Sequence, residues 1–185
     1  MSNGRGADNP WIAAVANPDA YPLDESDIRR ADAAMKLEGQ VRDKVGHLNL
    51  CTEDGIDASV FRALTATVDG VSTSQDRTID FVEVFAGSAI ASTAVASRGL
   101  RAVAVEQNSG RKWDDLTSVV GVIFTALTIL SLKVCGTAWF SPQCSTWVNC
   151  ARGHTRRSRE NPEGDAARED VREANAIAII MSEGR

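Results

Sequence analysis

The spacing of apolar residues divides the chain near residue 79. Ahead of that point the pattern is helical. Ile28, Ala31, Met35, Leu37 and Val41 form a loose apolar face that runs to about Lys44, with Ser26 as the predicted cap and Asp27 in the first turn. Asp57-Ala58-Ser59 predicts the start of a second, shorter helix with Val60, Phe61, Leu64 and Val68 as its apolar positions. Gly70 and the polar run 72–77 read as a linker. Residues 1–24, punctuated by Asn9-Pro10, Asn17-Pro18 and Tyr21-Pro22, read as an irregular tail.

Beyond residue 79 the pattern alternates. Residues 79–85 (Ile-Asp-Phe-Val-Glu-Val-Phe) are a β-rich run that stops at Ala86-Gly87-Ser88. An alanine-rich helix over 88–97 is closed by Gly99, and a second strand over 101–105 ends at Glu106. An apolar helix at about 117–132 and a third strand at 134–140 follow. A last helix runs from 166 to about 181, with Val171, Ala174, Ile177 and Ile180 on one face. Strands alternating with helices predict an α/β fold: a partial Rossmann-like core of three to four mostly parallel strands with flanking helices, preceded by a helical segment. The expected division is a tail over 1–24, an acidic helical segment and linker over 25–78, and the α/β core over 79–185.

Composition sharpens this picture at three points. The net charge of -5 over 185 residues is uneven: residues 1–80 hold 14 acids against 8 bases, and residues 81–185 hold 11 against 12. Residues 116–132 carry no charge but include five hydroxyl residues, and they are shorter than the roughly 20 apolar residues a membrane span needs, so a buried helix is expected. Four scattered cysteines form no disulfide framework, and the first residues, Met-Ser-Asn-Gly-Arg-Gly, lack the apolar core of a secretory signal. An intracellular setting, cytoplasmic or nuclear, is therefore expected.

The candidate chemistry lies at the carboxyl ends of the three predicted strands, where open α/β sheets bind ligands. Gly87 permits a tight turn after the first strand. Glu106 ends the second strand, where a carboxylate accepts from ribose hydroxyls. Ser141-Pro142-Gln143-Cys144-Ser145-Thr146-Trp147 follows the third. There is no Gly-x4-Gly-Lys-Ser/Thr phosphate cradle, which favours an adenosine-type ligand over a triphosphate.

These residues resemble a family. Glu83-Val84-Phe85-Ala86-Gly87-Ser88-Ala89 is similar to the S-adenosylmethionine loop of class I methyltransferases, closest to the Asp-Leu-Phe-Ala-Gly-x-Gly form of DNA (cytosine-5) methyltransferases. The 141–147 segment resembles that family's Gly-Pro-Pro-Cys-Gln-x-Phe loop. The resemblance covers about residues 79–182, the N-terminal half of such an enzyme. It implies S-adenosylmethionine as cofactor, contacted by Glu83, Phe85, Ala86, Gly87, Ser88, Glu106, Asp115 and Pro142. It also implies Cys144 as the nucleophile that attacks C6 of a flipped cytosine in DNA. Three departures stand against a complete enzyme: Ala89 replaces the second glycine, Gln143 the proline and Ser145 the glutamine. The family's later glutamate and target-recognition region are expected to be missing. The competing expectation is a non-catalytic remnant, a binding module of nucleotide-binding fold.

Arg152, Arg156, Arg157 and Arg159 form a basic run suited to phosphate contact on DNA, although Glu160, Glu163 and Asp165 follow at once. Cys144, Cys150 and His154 lack the spacing of a zinc site, so no metal is expected. With so few strands, the one at 134–140 is expected at an unprotected sheet edge, prone to self-association.

Overall fold

The computed structural model describes residues 24–52, 55–71, 77–142, 147 and 151–183. Helix α1 (Glu25–Val45) is capped by Asp24, two residues ahead of the predicted Ser26 cap. Asp24 accepts from the amides of Ser26 and Asp27, and Asp27 accepts in return from the Asp24 amide, a reciprocal capping box. Its buried face also differs from the expected one. Ala31, Ala34 and Val41 are buried together with Asp27, Arg30 and Glu38, while Ile28 and Met35 are exposed. The polar residues can point inward because they are paired: Arg30 bridges Asp27, and Arg101 reaches Asp24 at 2.7 Å and Asp27 at 3.4 Å. The small alanines let the helix approach its neighbour closely.

A short antiparallel pair follows, β1 (Cys51–Thr52) with β2 (Gly55–Ile56), too brief to show as a pattern in the sequence. Helix α2 (Ala58–Asp69) is capped by Asp57, which accepts from the Ser59 and Val60 amides, as the sequence predicts. It buries Val60, Leu64 and Thr67, with Phe61 and Val68 half-buried against the same core.

The main sheet consists of β3 (Ile79–Val84), β4 (Ala102–Val105) and β5 (Leu132–Phe140), all parallel, in the order β4-β3-β5. The α/β class is as expected, with three strands. Helix α3 (Ile90–Ala96) connects β3 to β4, and α4 (Val119–Leu130) connects β4 to β5. Helix α4 packs against α1, α2, β3 and β5. Burial on several sides explains why it reads as apolar all round. Two buried hydroxyls are satisfied locally, since Thr128 donates to the Phe124 carbonyl and the following Ser131 to the Leu127 carbonyl, whereas the buried Thr125 hydroxyl has no partner among the described residues. Val82, Val84, Val103 and Val105 from the sheet, Val120, Ile123, Phe124 and Leu127 from α4, Ala34 and Val41 from α1 and Leu64 from α2 form one continuous core.

Strand β5 is an edge, as expected. It is regular only where Thr137–Phe140 pairs with Phe81–Val84; between Leu132 and Thr137 it bulges, with Cys135 at φ 71. Helices α5 (Arg152–Thr155) and α6 (Glu169–Glu183) close the chain, and Val171, Ala174 and Ile177 of α6 are buried. Among the described residues no helix is long and apolar enough to cross a membrane.

Candidate functional site

The order β4-β3-β5 puts the first strand of the sheet in the middle, the second on one side and the third on the other. The chain therefore reverses direction across the sheet between β3 and β5, and at such a reversal the connections diverge and leave a crevice at the carboxyl ends. The three ends are tied together. The Ala86 amide donates to the Val105 carbonyl at 3.1 Å, and the Ser141 amide to the Val84 carbonyl at 3.0 Å. The sequence-predicted residues Phe85, Ala86, Gly87, Ser88, Glu106 and Pro142 thus lie at the ends of three adjacent strands.

The turn after β3 is unusual in its backbone. Phe85 (φ 61), Gly87 (φ 55) and Ala89 (φ 48) are all left-handed. Glycine adopts this region freely, but alanine and phenylalanine do so at a cost of about 1–2 kcal/mol each. Ala89 occupies the place where the resembled family carries its second glycine, so the conformation typical of glycine is kept without the residue. Two carboxylates hold the turn. Glu106 accepts from the Gly87 amide at 2.7 Å. Glu83, buried, accepts from the amide of Ser92 at 2.8 Å and its hydroxyl at 2.7 Å. Ala89 has no side chain to cap α3, and Glu83 supplies the missing acceptor from the neighbouring strand.

The connection from β4 to α4 holds the two adjacent acids, Asp114 and Asp115. Asp115 serves its own turn, accepting from the Thr117 amide at 2.9 Å and hydroxyl at 2.6 Å. Its carbonyl oxygen lies where a Cβ on Gly121 would come within 1.8 Å, which accounts for glycine in the first turn of α4. Asp114 is 1% exposed and accepts from the Ser109 hydroxyl at 2.6 Å, with Arg111 at 3.7 Å; its Oδ1 has no hydrogen-bond partner among the described residues. Burial pushes its carboxyl up to about 6, against the opposing pull of Ser109 and Arg111 and with help from the negative charges of Glu106 and Asp27. Sequence reasoning chose Asp115 and passed over Asp114. The only signal in the sequence was the Asp-Asp pair itself, because which of two adjacent acids turns inward depends on the backbone.

Cys144, the predicted nucleophile, lies outside the described residues, as does Gln143. Pro142 and Ser141 are exposed at the end of β5, and the Trp139 indole donates to the Ser141 hydroxyl at 2.5 Å. The four arginines separate into two kinds. Arg152, Arg156 and Arg159 are exposed, with Arg156 3.6 Å from Asp165. Arg157 is 7% exposed, donates to the Pro162 carbonyl at 2.6 Å, and places its guanidinium carbon 3.6 Å from the centroid of the Trp147 ring. His154 is 3.5 Å from Asp170 and contacts Arg168, and among the described residues no group of three metal-binding side chains assembles.

No family model matches the chain, and comparison with curated proteins and with solved structures returns no match.

Proposed function

We propose that the chain is an S-adenosylmethionine-dependent methyltransferase-like protein of the DNA (cytosine-5) kind, built on a partial Rossmann-like core. The reading is carried by one observation: the turn at 85–89, Glu106 and the end of β5 meet where the strand order reverses. The ligand class follows from charge. A bound phosphate would seek backbone amides of the turn and the first residues of α3, but those of Gly87 in the turn and Ser92 in the helix already serve the carboxylates of Glu106 and Glu83. A nucleoside with hydroxyl donors and a positive substituent suits two carboxylates better than a nucleotide phosphate does.

In this reading S-adenosylmethionine supplies a methyl group on a sulfonium. The backbone of Phe85, Ala86, Gly87 and Ser88 lies along the cofactor, Glu106 accepts from the ribose hydroxyls, Pro142 shapes the β5 side, and Cys144 is the nucleophile toward cytosine. Glu83 and Asp115 act through the turns they hold, as positioning residues. Isothermal titration with S-adenosylmethionine tests the proposal: saturable heat that weakens at least tenfold in Glu106→Ala supports it, and no heat at millimolar ligand refutes it. Methyl transfer to DNA that is lost in Cys144→Ala supports the catalytic form.

The second reading is a non-catalytic module of nucleotide-binding fold. It is favoured by the Gly87–Glu106 hydrogen bond, which satisfies the turn from within the chain. Cofactor binding without transfer would select it. Either reading implies an intracellular setting, and among the described residues no strand pairs with the outer side of β5. Residues 134–140 carry no charge to oppose a copy of themselves, and Val134, Trp139 and Phe140 are exposed. We infer weak pairing of two copies along Thr137–Phe140; a concentration-independent monomer by light scattering would exclude it.

A further inference from the structure

We propose that Trp147, backed by Arg157, is a stacking platform for an unpaired base of single-stranded nucleic acid. The side chain of Arg157 is buried, yet among the described residues no carboxylate lies within ion-pair distance of it. Its two Nη groups donate to the carbonyls of Pro162 (2.6 Å) and Val171 (3.5 Å), its Nε has no partner among the described residues, and its guanidinium carbon lies 3.6 Å from the centroid of the Trp147 ring. Burial without a carboxylate pulls the guanidinium below its ordinary value, with Asp170 opposing that shift from a distance.

The arrangement fixes the tryptophan. One face of the indole rests on a planar cation held by two backbone carbonyls, while Trp147 as a whole stays 47% exposed. A large aromatic ring held in place and left open loses little entropy when a second flat ring stacks on it. The charges nearby suit a polyanion with accessible bases. Arg152, Arg156 and Arg159 lie within five residues of Arg157 and are exposed. Among the described residues only Arg156 of the three has an ion-pair partner, Asp165, at 3.6 Å. Glu160, Glu163 and Asp165 sit in the same stretch, so phosphate attraction alone is modest and stacking must supply the rest. That combination selects a single strand over a duplex, whose bases are already stacked on one another.

The inference deepens the proposed function, since it says how the target base is presented, and it takes its biological sense from that reading. Its test is independent of cofactor. Binding of a labelled oligo-dT is followed by fluorescence anisotropy at low salt, beside an abasic oligomer of the same length and a duplex. We expect oligo-dT to bind at least tenfold tighter than the abasic strand and tighter than the duplex. Trp147→Ala should lose about tenfold, Trp147→Phe should keep most of the affinity, and far-UV circular dichroism should confirm the fold of both. Arg152→Ala and Arg159→Ala should weaken oligo-dT and abasic strands alike and flatten the salt dependence. Equal binding of the dT and abasic strands, a folded Trp147→Ala that binds like the parent, preference for duplex, or no binding at all would overturn the proposal. Trp147-dependent binding in a chain that gives no heat with S-adenosylmethionine would retain the platform and discard the methyltransferase reading. The opposite pattern would do the reverse.

Discussion

Asp114 gives the sharpest test of the structure. Asp114 is 1% exposed, one oxygen of its carboxyl has no partner among the described residues, and burial raises its pKa from 3.8 to about 6. A shift of roughly 2 units corresponds to about 3 kcal/mol of differential stability between its charged and neutral forms. The folded state therefore keeps a proton between about pH 4 and 6 that the unfolded chain has released. Stability from this group is fully present below pH 4, is lost as pH rises through 6, and is flat above that. Asp24, Asp80 and Asp170 have lowered values and act in the opposite direction at more acid pH, but they are common to wild type and variant and cancel in a difference. Asp114→Asn removes the titration while keeping an oxygen to accept from the Ser109 hydroxyl. A buried amide N–H would offset the whole curve without changing its slope. Urea unfolding of both proteins at intervals from pH 4.5 to 8 should show the variant gaining about 2 kcal/mol relative to wild type across the window, the remaining part of the change lying below pH 4.5. Curves that stay parallel within roughly 0.5 kcal/mol would refute the buried-carboxylate argument.

Three further substitutions probe the frame of the site. Gly121→Ala would ordinarily gain about 1 kcal/mol of helix propensity, but here its Cβ meets the Asp115 carbonyl, so a loss of about 3 kcal/mol is expected in thermal melts. Glu83→Ala strands the Ser92 amide and hydroxyl in a buried place and should cost about 2–3 kcal/mol by denaturant titration, most of which Glu83→Gln restores. Ala89→Gly should be neutral or stabilising by up to about 1 kcal/mol in the same assay, because relief of the left-handed φ outweighs the lost methyl; a clear destabilisation would contradict the turn geometry.

The periodicity of apolar residues was sufficient to place the main elements. A β-rich run marked β3, a second short run marked β4, and the uncharged stretch at 116–132 marked a helix buried on several sides, because these patterns record which segments leave water. Asp57 and Gly99 announced their helix ends through local chemistry that needs no partner. Which face of α1 is buried was not legible. Asp27 turns inward between Arg30 and, from some seventy residues away, Arg101, which together balance its buried charge, whereas Ile28 and Met35 lie on an exposed side. At the site, the Phe-Ala-Gly turn and Glu106 could be picked out as neighbouring strand ends. That they share a hydrogen bond depends on β3 and β4 being adjacent and in register. The choice between Asp114 and Asp115, and the retreat of Arg157 from the arginine run to lie against Trp147, likewise belong to the tertiary structure. Sequence spacing records the local periodicity of the chain; burial and charge pairing depend on residues brought together from far apart.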